Sequence, residues 1–363
     1  MTINGGMITH PDIPNDNGFL TSLEQMKDLF IRQGCRQRFS GSTKAEALAW
    51  QAEARPLLRR LLGFDTFDGC DGRFFELETE VLDGYTRTKC VLQTEEKVYV
   101  PLYVLKPAGL EPGERRAAMI CPHGHVAAMK ESTAAVRHAM NVQKDIDVYR
   151  AHYGEDFVKR GYVVFCPDAR GFGERAEKLK QDQEWKCSCY LVNHMAIPLG
   201  RSTAGMSVWD LVKLCDHIAS RPDCDAKRIG CAGLSGGGLQ TLYLAAADER
   251  IACACSSGYF YGAFESLLIQ SQNCACNYIP GMWRHFDMGD LGALIAPRPF
   301  IVEAGLRDSL NGESGINNVT SQIDIAARAY NALGREENLA LTTFDGGHTW
   351  TGDEVYPFFA KNL

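Results

Sequence analysis

Arg228-Ile229-Gly230-Cys231-Ala232-Gly233-Leu234-Ser235-Gly236-Gly237-Gly238-Leu239-Gln240-Thr241-Leu242-Tyr243-Leu244-Ala245-Ala246-Ala247 runs from an apolar stretch of strand length, through one serine among glycines, into an apolar stretch of helix length. A serine at such a strand-to-helix turn is held in strained backbone with its Oγ clear of the chain. Residues two before and two after it must be small, because strand and helix pass close together there; Gly233 and Gly237 meet this. The strain costs about 1–3 kcal/mol, which a purely structural turn has no reason to carry. Gly-x-Ser-x-Gly alone is weak, since 16 serines and 35 glycines in 363 residues yield about 0.15 chance matches. The flanking strand and helix carry the reading. A phosphate-binding loop built on backbone N–H groups competes with it. That loop needs a lysine just inside the helix, and positions 236–242 hold none.

On either side of this stretch the chain alternates short apolar runs with helical patterns. Strands are expected over 117–121, 162–166, 228–232, 251–255, 299–303 and 339–344, and helices over 147–160, 207–220, 235–247 and 318–333. Before them, 76–81, 86–93 and 97–105 alternate as antiparallel strands, with Asp83-Gly84 as a turn. The class is therefore α/β, with a mostly parallel central sheet and helices on both faces. Ligands of such sheets bind beyond the carboxyl ends of the strands. Residues 1–72 read as an N-terminal helical extension, with helices over 19–33 and 44–62 forming a cap or packing layer. Residues 73–363 form the main domain. Within it, 171–206 and 256–292 are long connections rich in aromatics, Cys, Asn and Met, which would fold over the site as cap-like lids.

Composition narrows the partners. Net charge is −7 with no basic run, so nucleic acid is not expected. The first residues lack the pattern of an export signal, and no stretch has the roughly 18 apolar residues of a membrane span. A cytoplasmic location is the expectation. Fourteen cysteines include the C-x-C pairs Cys187/Cys189, Cys253/Cys255 and Cys274/Cys276. Reduced thiols fit that compartment better than a disulfide framework. Zinc favours C-x2-C or mixed Cys/His spacings, which these pairs lack, and Cys121, Cys166, Cys231, Cys253 and Cys255, in or beside apolar strand-like runs, read as small core residues.

A serine nucleophile needs a base, and the base an orienting carboxylate, in chain order Ser, acid, His. After Ser235 only His285 and His348 remain. His348 follows the last strand through Gly346-Gly347 and is taken as base; His285 precedes the next strand. Asp308 follows a strand end and a glycine turn and is taken as the acid. Glu303 is still within its strand, and Asp345 is too near His348 in sequence. Two backbone donors must hold the developing oxyanion. They are assigned to the N–H groups of Gly236 and His125, the latter in Pro122-His123-Gly124-His125 after the first parallel strand. A dinuclear metal centre on His123-x-His125 would require an acid two residues beyond and a further histidine, but Ala127 and Ala128 stand there, so no metal is expected. Arg170 and Arg201 read as loop pins bonded to carbonyls, Asp168 or Asp210, with binding of a substrate carboxylate as the alternative. Trp350, with Tyr259 and Tyr278, is assigned to the substrate pocket; Phe260, Tyr261, Phe264 and Trp283 are further candidates for it, with packing of the long connection on itself as the alternative.

Pro122-His123-Gly124-His125, Asp168-x-Arg170-Gly171-x-Gly173, Gly233-x-Ser235-x-Gly237, Asp308 and Gly347-His348 together resemble the α/β-hydrolase superfamily. Within it the chain is most similar to acetyl-xylan-esterase and dienelactone-hydrolase-like bacterial esterases. The stretches carrying this are Leu199-Gly200-Arg201-Ser202, Cys276-Asn277-Tyr278-Ile279-Pro280-Gly281 and Asp290 to Pro299. The likeness covers about residues 74–360. It implies the α/β-hydrolase fold and a cofactor-free serine esterase acting through an acyl-enzyme, with Ser235, Asp308 and His348 as triad. It also implies a small acyl group such as acetyl, with a small-molecule ester such as an acylated sugar as partner. Dienelactone hydrolases proper use cysteine, so the serine speaks against lactone opening. A peptidase or amidase with the same triad, a non-catalytic binding protein of this fold, and a thiol- or metal-based protein using the C-x-C pairs stay open as alternatives. The sequence does not set the oligomeric state.

Overall fold

A computed structural model describes residues 21–177, 187–271 and 273–363. Nine strands form one sheet: β1 (Phe74–Leu82), β2 (Tyr85–Glu95), β3 (Val98–Pro107), β4 (Arg116–Ile120), β5 (Val163–Pro167), β6 (Cys224–Leu234), β7 (Ile251–Ser257), β8 (Phe300–Gly305) and β9 (Leu339–Phe344). Their order is β1-β2-β3-β5-β4-β6-β7-β8-β9. The β1–β2, β2–β3 and β3–β5 pairs are antiparallel; every pair from β5 through β4 to β9 is parallel. The parallel strands are covered on both faces, which is why they read as unbroken apolar runs. Edge strand β1 is covered on neither face along much of its length, and Leu77 and Val81 are exposed.

The topology decides where a ligand can sit. From β4 the chain moves to one side to lay down β5 against β3, then crosses back to place β6 on the other side of β4. Two successive connections therefore part company at the carboxyl ends of β4 and β6, opening a crevice at that switch point. The loops carrying His125 and Ser235 both leave the sheet there.

The sheet is packed on two cores. One joins Phe165, Ile229 and Phe300 to Leu239 and Leu242 of helix Gly236–Ala247, and also takes in Ala47, Ala54 and Leu58 of helix Lys44–Leu61. That N-terminal helix starts at a Thr43–Glu46 capping box. Its Gln51 side chain donates to Ala293 O and Ala296 O at 2.9 and 2.6 Å, so it is bonded into the main body. The expected 19–33 helix is observed as Leu23–Gln33; residues 19–20 lie outside the described residues, as do 178–186 of the first proposed lid. The expected single helix over 147–160 is two, Val142–Tyr149 and Tyr153–Val158. Arg150 takes a left-handed conformation (φ 52°) that ends the first, and the Tyr153 hydroxyl donates to Pro122 O at 2.6 Å. Among the described residues no helix is long and apolar enough to cross a membrane.

Candidate active site

Ser235 stands between β6 and helix Gly236–Ala247 with φ 59° and ψ −120°, a left-handed conformation that non-glycine residues rarely adopt. The turn is pinned from the neighbouring strand: the Ser235 N–H donates to Ser257 O at 2.8 Å. The glycines are required by close approach. A Cβ on Gly233 would lie 2.6 Å from the Gly237 carbonyl carbon, and one on Gly237 would collide with Pro122 O.

The loops after β8 and β9 are zipped together, Leu306 N–H donating to Phe344 O and Arg307 N–H to Gly346 O at 3.0 and 2.8 Å. That pairing brings Asp308 against His348, whose Nδ1–H donates to Asp308 Oδ2 at 2.6 Å. The Asp308 side chain is buried, and its Oδ1 accepts the Leu310 N–H at 2.9 Å. Glu303 and Asp345, the other nearby carboxylates, are engaged elsewhere. Glu303 is buried and accepts from Ser257 Oγ, Thr351 Oγ1 and the Gly352 N–H, and Asp345 is paired with Arg307. Glu303 thereby ties β7 to the segment just after His348, a positioning role that a lone glutamate in an apolar strand does not announce.

His348, Ser235, Gly236 and His125 line one cleft of about 300 Å³. Gly236 is the first residue of its helix, so its N–H has no partner within that helix. The His125 imidazole lies against Gly236 and meets Phe172 edge-on at 5.0 Å. Burial, with the neighbouring His123 and His348, holds its pKa down to about 4. His123 is not turned to the cleft. It is buried, its Nδ1–H donating to Gly124 O at 2.7 Å and its Nε2 accepting the Ala169 N–H at 3.0 Å. Asp168 beside it is paired with the buried Lys130 ammonium at 2.7 Å. The loop bearing His125 is thus fixed from behind by groups that sequence reading left without a role.

The three proposed pocket residues part company. Tyr259 lines the cleft with Tyr261, a further candidate from the sequence, and with Tyr149, Asn273 and Asn277, which were not singled out for it; Phe260, Phe264 and Trp283 are not among the lining residues. Tyr278 is not among the lining residues; its hydroxyl donates to Leu267 O and its ring meets Trp283. Trp350 also turns away. It is 1 % exposed in the second core, which also holds Phe157, Val355 and Phe359, packed on Tyr153 at 4.8 Å and donating to Tyr356 Oη. His285 lies apart from the cleft, its carbonyl accepting the Gln37 N–H.

Arg170 and Arg201 are loop pins. Arg170 makes a two-point contact with Asp210 at 2.7 and 3.0 Å and a third with Glu95 at 2.7 Å; Arg201 reaches Glu95 and Thr66. Burial alone would raise the Asp210 pKa, but the charges of Arg170 and Arg175 and the hydrogen bonds from Arg170 and Thr94 hold it down to about 2. A carboxyl depressed on folding stabilises the protein above its ordinary range and loses that contribution as pH falls through the folded value. Urea unfolding should therefore show stability dropping between about pH 4 and pH 2, on the order of 2 kcal/mol from this group. Asp210→Asn, which cannot titrate, should flatten that part of the profile.

The cysteines of the apolar runs, Cys121, Cys166, Cys231, Cys253 and Cys255, are buried core residues as expected. Two C-x-C pairs are not part of those runs. The structure brings Cys189, Cys274 and Cys276 to His125 at the cleft wall, a mixed Cys/His cluster that the C-x-C spacings had not suggested. Their sulfurs and an imidazole nitrogen lie within 4.8 Å of one another, and Cys189 and Cys274 touch through sulfur.

The family described as Abhydrolase family matches residues 16–338. The chain belongs to this α/β-hydrolase family. A curated relative of this family member, the candidate hydrolase YtaP of Bacillus subtilis (strain 168), is 27 % identical over 287 residues, 75 % of this chain and 86 % of the relative. The fold has close counterparts among solved structures. A protein of Bacteroides fragilis NCTC 9343 described as a candidate acetyl xylan esterase superposes with a TM-score of 0.79 at 19 % identity, covering 95 % of this chain and 96 % of the other. A glucuronoyl esterase from Solibacter usitatus does so with a TM-score of 0.63 at 14 % identity, covering 89 % and 97 %. The α/β-hydrolase fold of the chain is that of these esterases.

Proposed function

We propose that this α/β-hydrolase is a serine esterase acting on a carboxylic ester with a small acyl group, such as an acetylated sugar. The observation that carries the proposal is a serine at positive φ sharing a cleft with a histidine that is itself held by a buried aspartate. In this reading Ser235 Oγ attacks the ester carbonyl while His348 Nε2 takes its proton, and Asp308 steadies the imidazolium. The Gly236 and His125 N–H groups hold the oxyanion. The bond to the alcohol oxygen breaks as His348 returns the proton to it, leaving an acyl-enzyme. Water, deprotonated by His348, then releases the acid and frees Ser235. No group beyond the chain's own residues enters these steps.

The sugar ester is favoured by the structural relatives, which are described as acetyl xylan and glucuronoyl esterases.

Mass spectrometry of the intact protein after a fluorophosphonate tests the assignment. A single adduct on the wild type, missing from Ser235→Ala, is the expected result; an unmodified, folded wild type would refute an activated serine. The geometry also predicts the effect of Gly258→Ala. Gly258 has φ 58°, and a Cβ there would stand 2.9 Å from His348 Cε1. Displacing the base by a fraction of an ångström should lower kcat about 10²-fold with KM little changed. Steady-state kinetics on 4-nitrophenyl acetate would read this directly.

A further inference from the structure

We infer that His125, Cys189, Cys274 and Cys276 form a binding site for one thiophilic divalent cation of the zinc class, built into the wall of the cleft. The four side chains come from three separate segments: the loop after β4, the connection after β5 and the connection after β7. Their ligand atoms nonetheless converge within 4.8 Å of one another. Around a tetrahedral zinc ion, sulfurs stand about 3.8 Å apart and a sulfur about 3.6 Å from an imidazole nitrogen, given the usual bond lengths. His125 Nε2 and Cys276 Sγ lie 3.4 Å apart, close to that spacing. Cys189 and Cys276 are buried in a small cluster with Phe172 and Met129, while the half-buried His125 and Cys274 border the cleft.

A simple disulfide accounts for this cluster less well. The Cα atoms of Cys189 and Cys274 are 7.5 Å apart, whereas disulfides span about 4.4–6.8 Å. It would also leave the third thiol and the imidazole converging on the same point for no reason. Three thiolates and one imidazole are the donor set of structural zinc, and they fill a tetrahedral shell with no position left for water or substrate. The ion would therefore clamp rather than catalyse: it fastens both long connections to the loop whose His125 N–H is assigned to the oxyanion. Binding releases the three thiol protons, and no electron is transferred.

The test uses the full-length protein, expressed with zinc in the medium and purified under reducing conditions without chelator. Elemental analysis after gel filtration should find about one zinc per chain, falling at least tenfold in Cys276→Ser and in Cys274→Ser. Cobalt loaded in place of zinc should show thiolate charge-transfer bands and the intense visible bands of a tetrahedral ion. If the variants fail to fold, the wild type still decides: releasing its zinc with a mercurial should free the metal in step with thiol modification. Wild-type protein that neither carries zinc nor takes it up when reduced would overturn the site, as would denatured protein lacking two titratable thiols and metal. Zinc content does not depend on whether Ser235 is catalytic, so the metal site and the esterase reading can fail separately.

Discussion

Ser235→Ala should lower kcat for ester hydrolysis about 10⁶-fold, to the floor set by the oxyanion donors and binding alone. The size of the effect follows from what the hydroxyl does in the proposed cycle. Without it no acyl-enzyme forms, and the intact His348–Asp308 pair has no proton to take. The fold should survive. The turn is held by the Ser235 N–H bond to Ser257 O and by the close passage of Gly233 and Gly237, none of which needs the hydroxyl. Thermal unfolding within a few degrees of wild type, alongside lost turnover, is therefore the expected pairing. Residual kcat within tenfold of wild type would remove Ser235 from the mechanism.

Asp308→Asn should cost about 10⁴-fold in kcat while leaving KM nearly unchanged. Asp308 makes two distinct contacts, Oδ2 with His348 Nδ1–H and Oδ1 with the Leu310 N–H. An asparagine can keep the Leu310 bond only by turning its carbonyl that way, which presents its NH₂ to His348. The imidazole must then accept at Nδ1 and carry its proton on Nε2, the nitrogen that has to receive the serine proton. The variant is thus isosteric and folded but holds its base in the wrong tautomer. Glu303 cannot substitute, since its oxygens are already taken by Ser257, Thr351 and Gly352. Activity within tenfold of wild type would mean that Asp308 only shapes the loop.

The local signals were strong where chemistry and backbone geometry coincide in one short stretch. The strand–Gly-x-Ser-x-Gly–helix run is such a case, because strain at Ser235 demands small neighbours that the sequence displays at fixed spacing. The parallel sheet was legible for a similar reason: strands buried on both faces must be apolar throughout, and their alternation with helices leaves few topologies. Helix ends and breaks were less visible. The division at Arg150 depends on Tyr153 reaching Pro122 O, a contact between residues 31 apart.

Side-chain direction was the other loss. Trp350 lies two residues from His348, yet it points into the second core, since adjacency in sequence does not fix which side of a turn faces the cleft. Asn273 and Asn277 reach the cleft from a connection with no regular period, so no pattern marked them. The C-x-C pairs were read from the expected compartment, which disfavours a disulfide framework, and from their spacing, which does not suggest zinc. By itself the sequence determined the sheet and the turn at Ser235, because strand burial and backbone strain are enforced over a few consecutive residues. It also supplied the order in which an acid and a histidine would follow that serine. The tertiary structure alone decided which of the candidate aromatics line the cleft and which pack away from it. It alone drew His125, Cys189, Cys274 and Cys276 together, since their convergence is set by the packing of three distant segments and by no spacing along the chain.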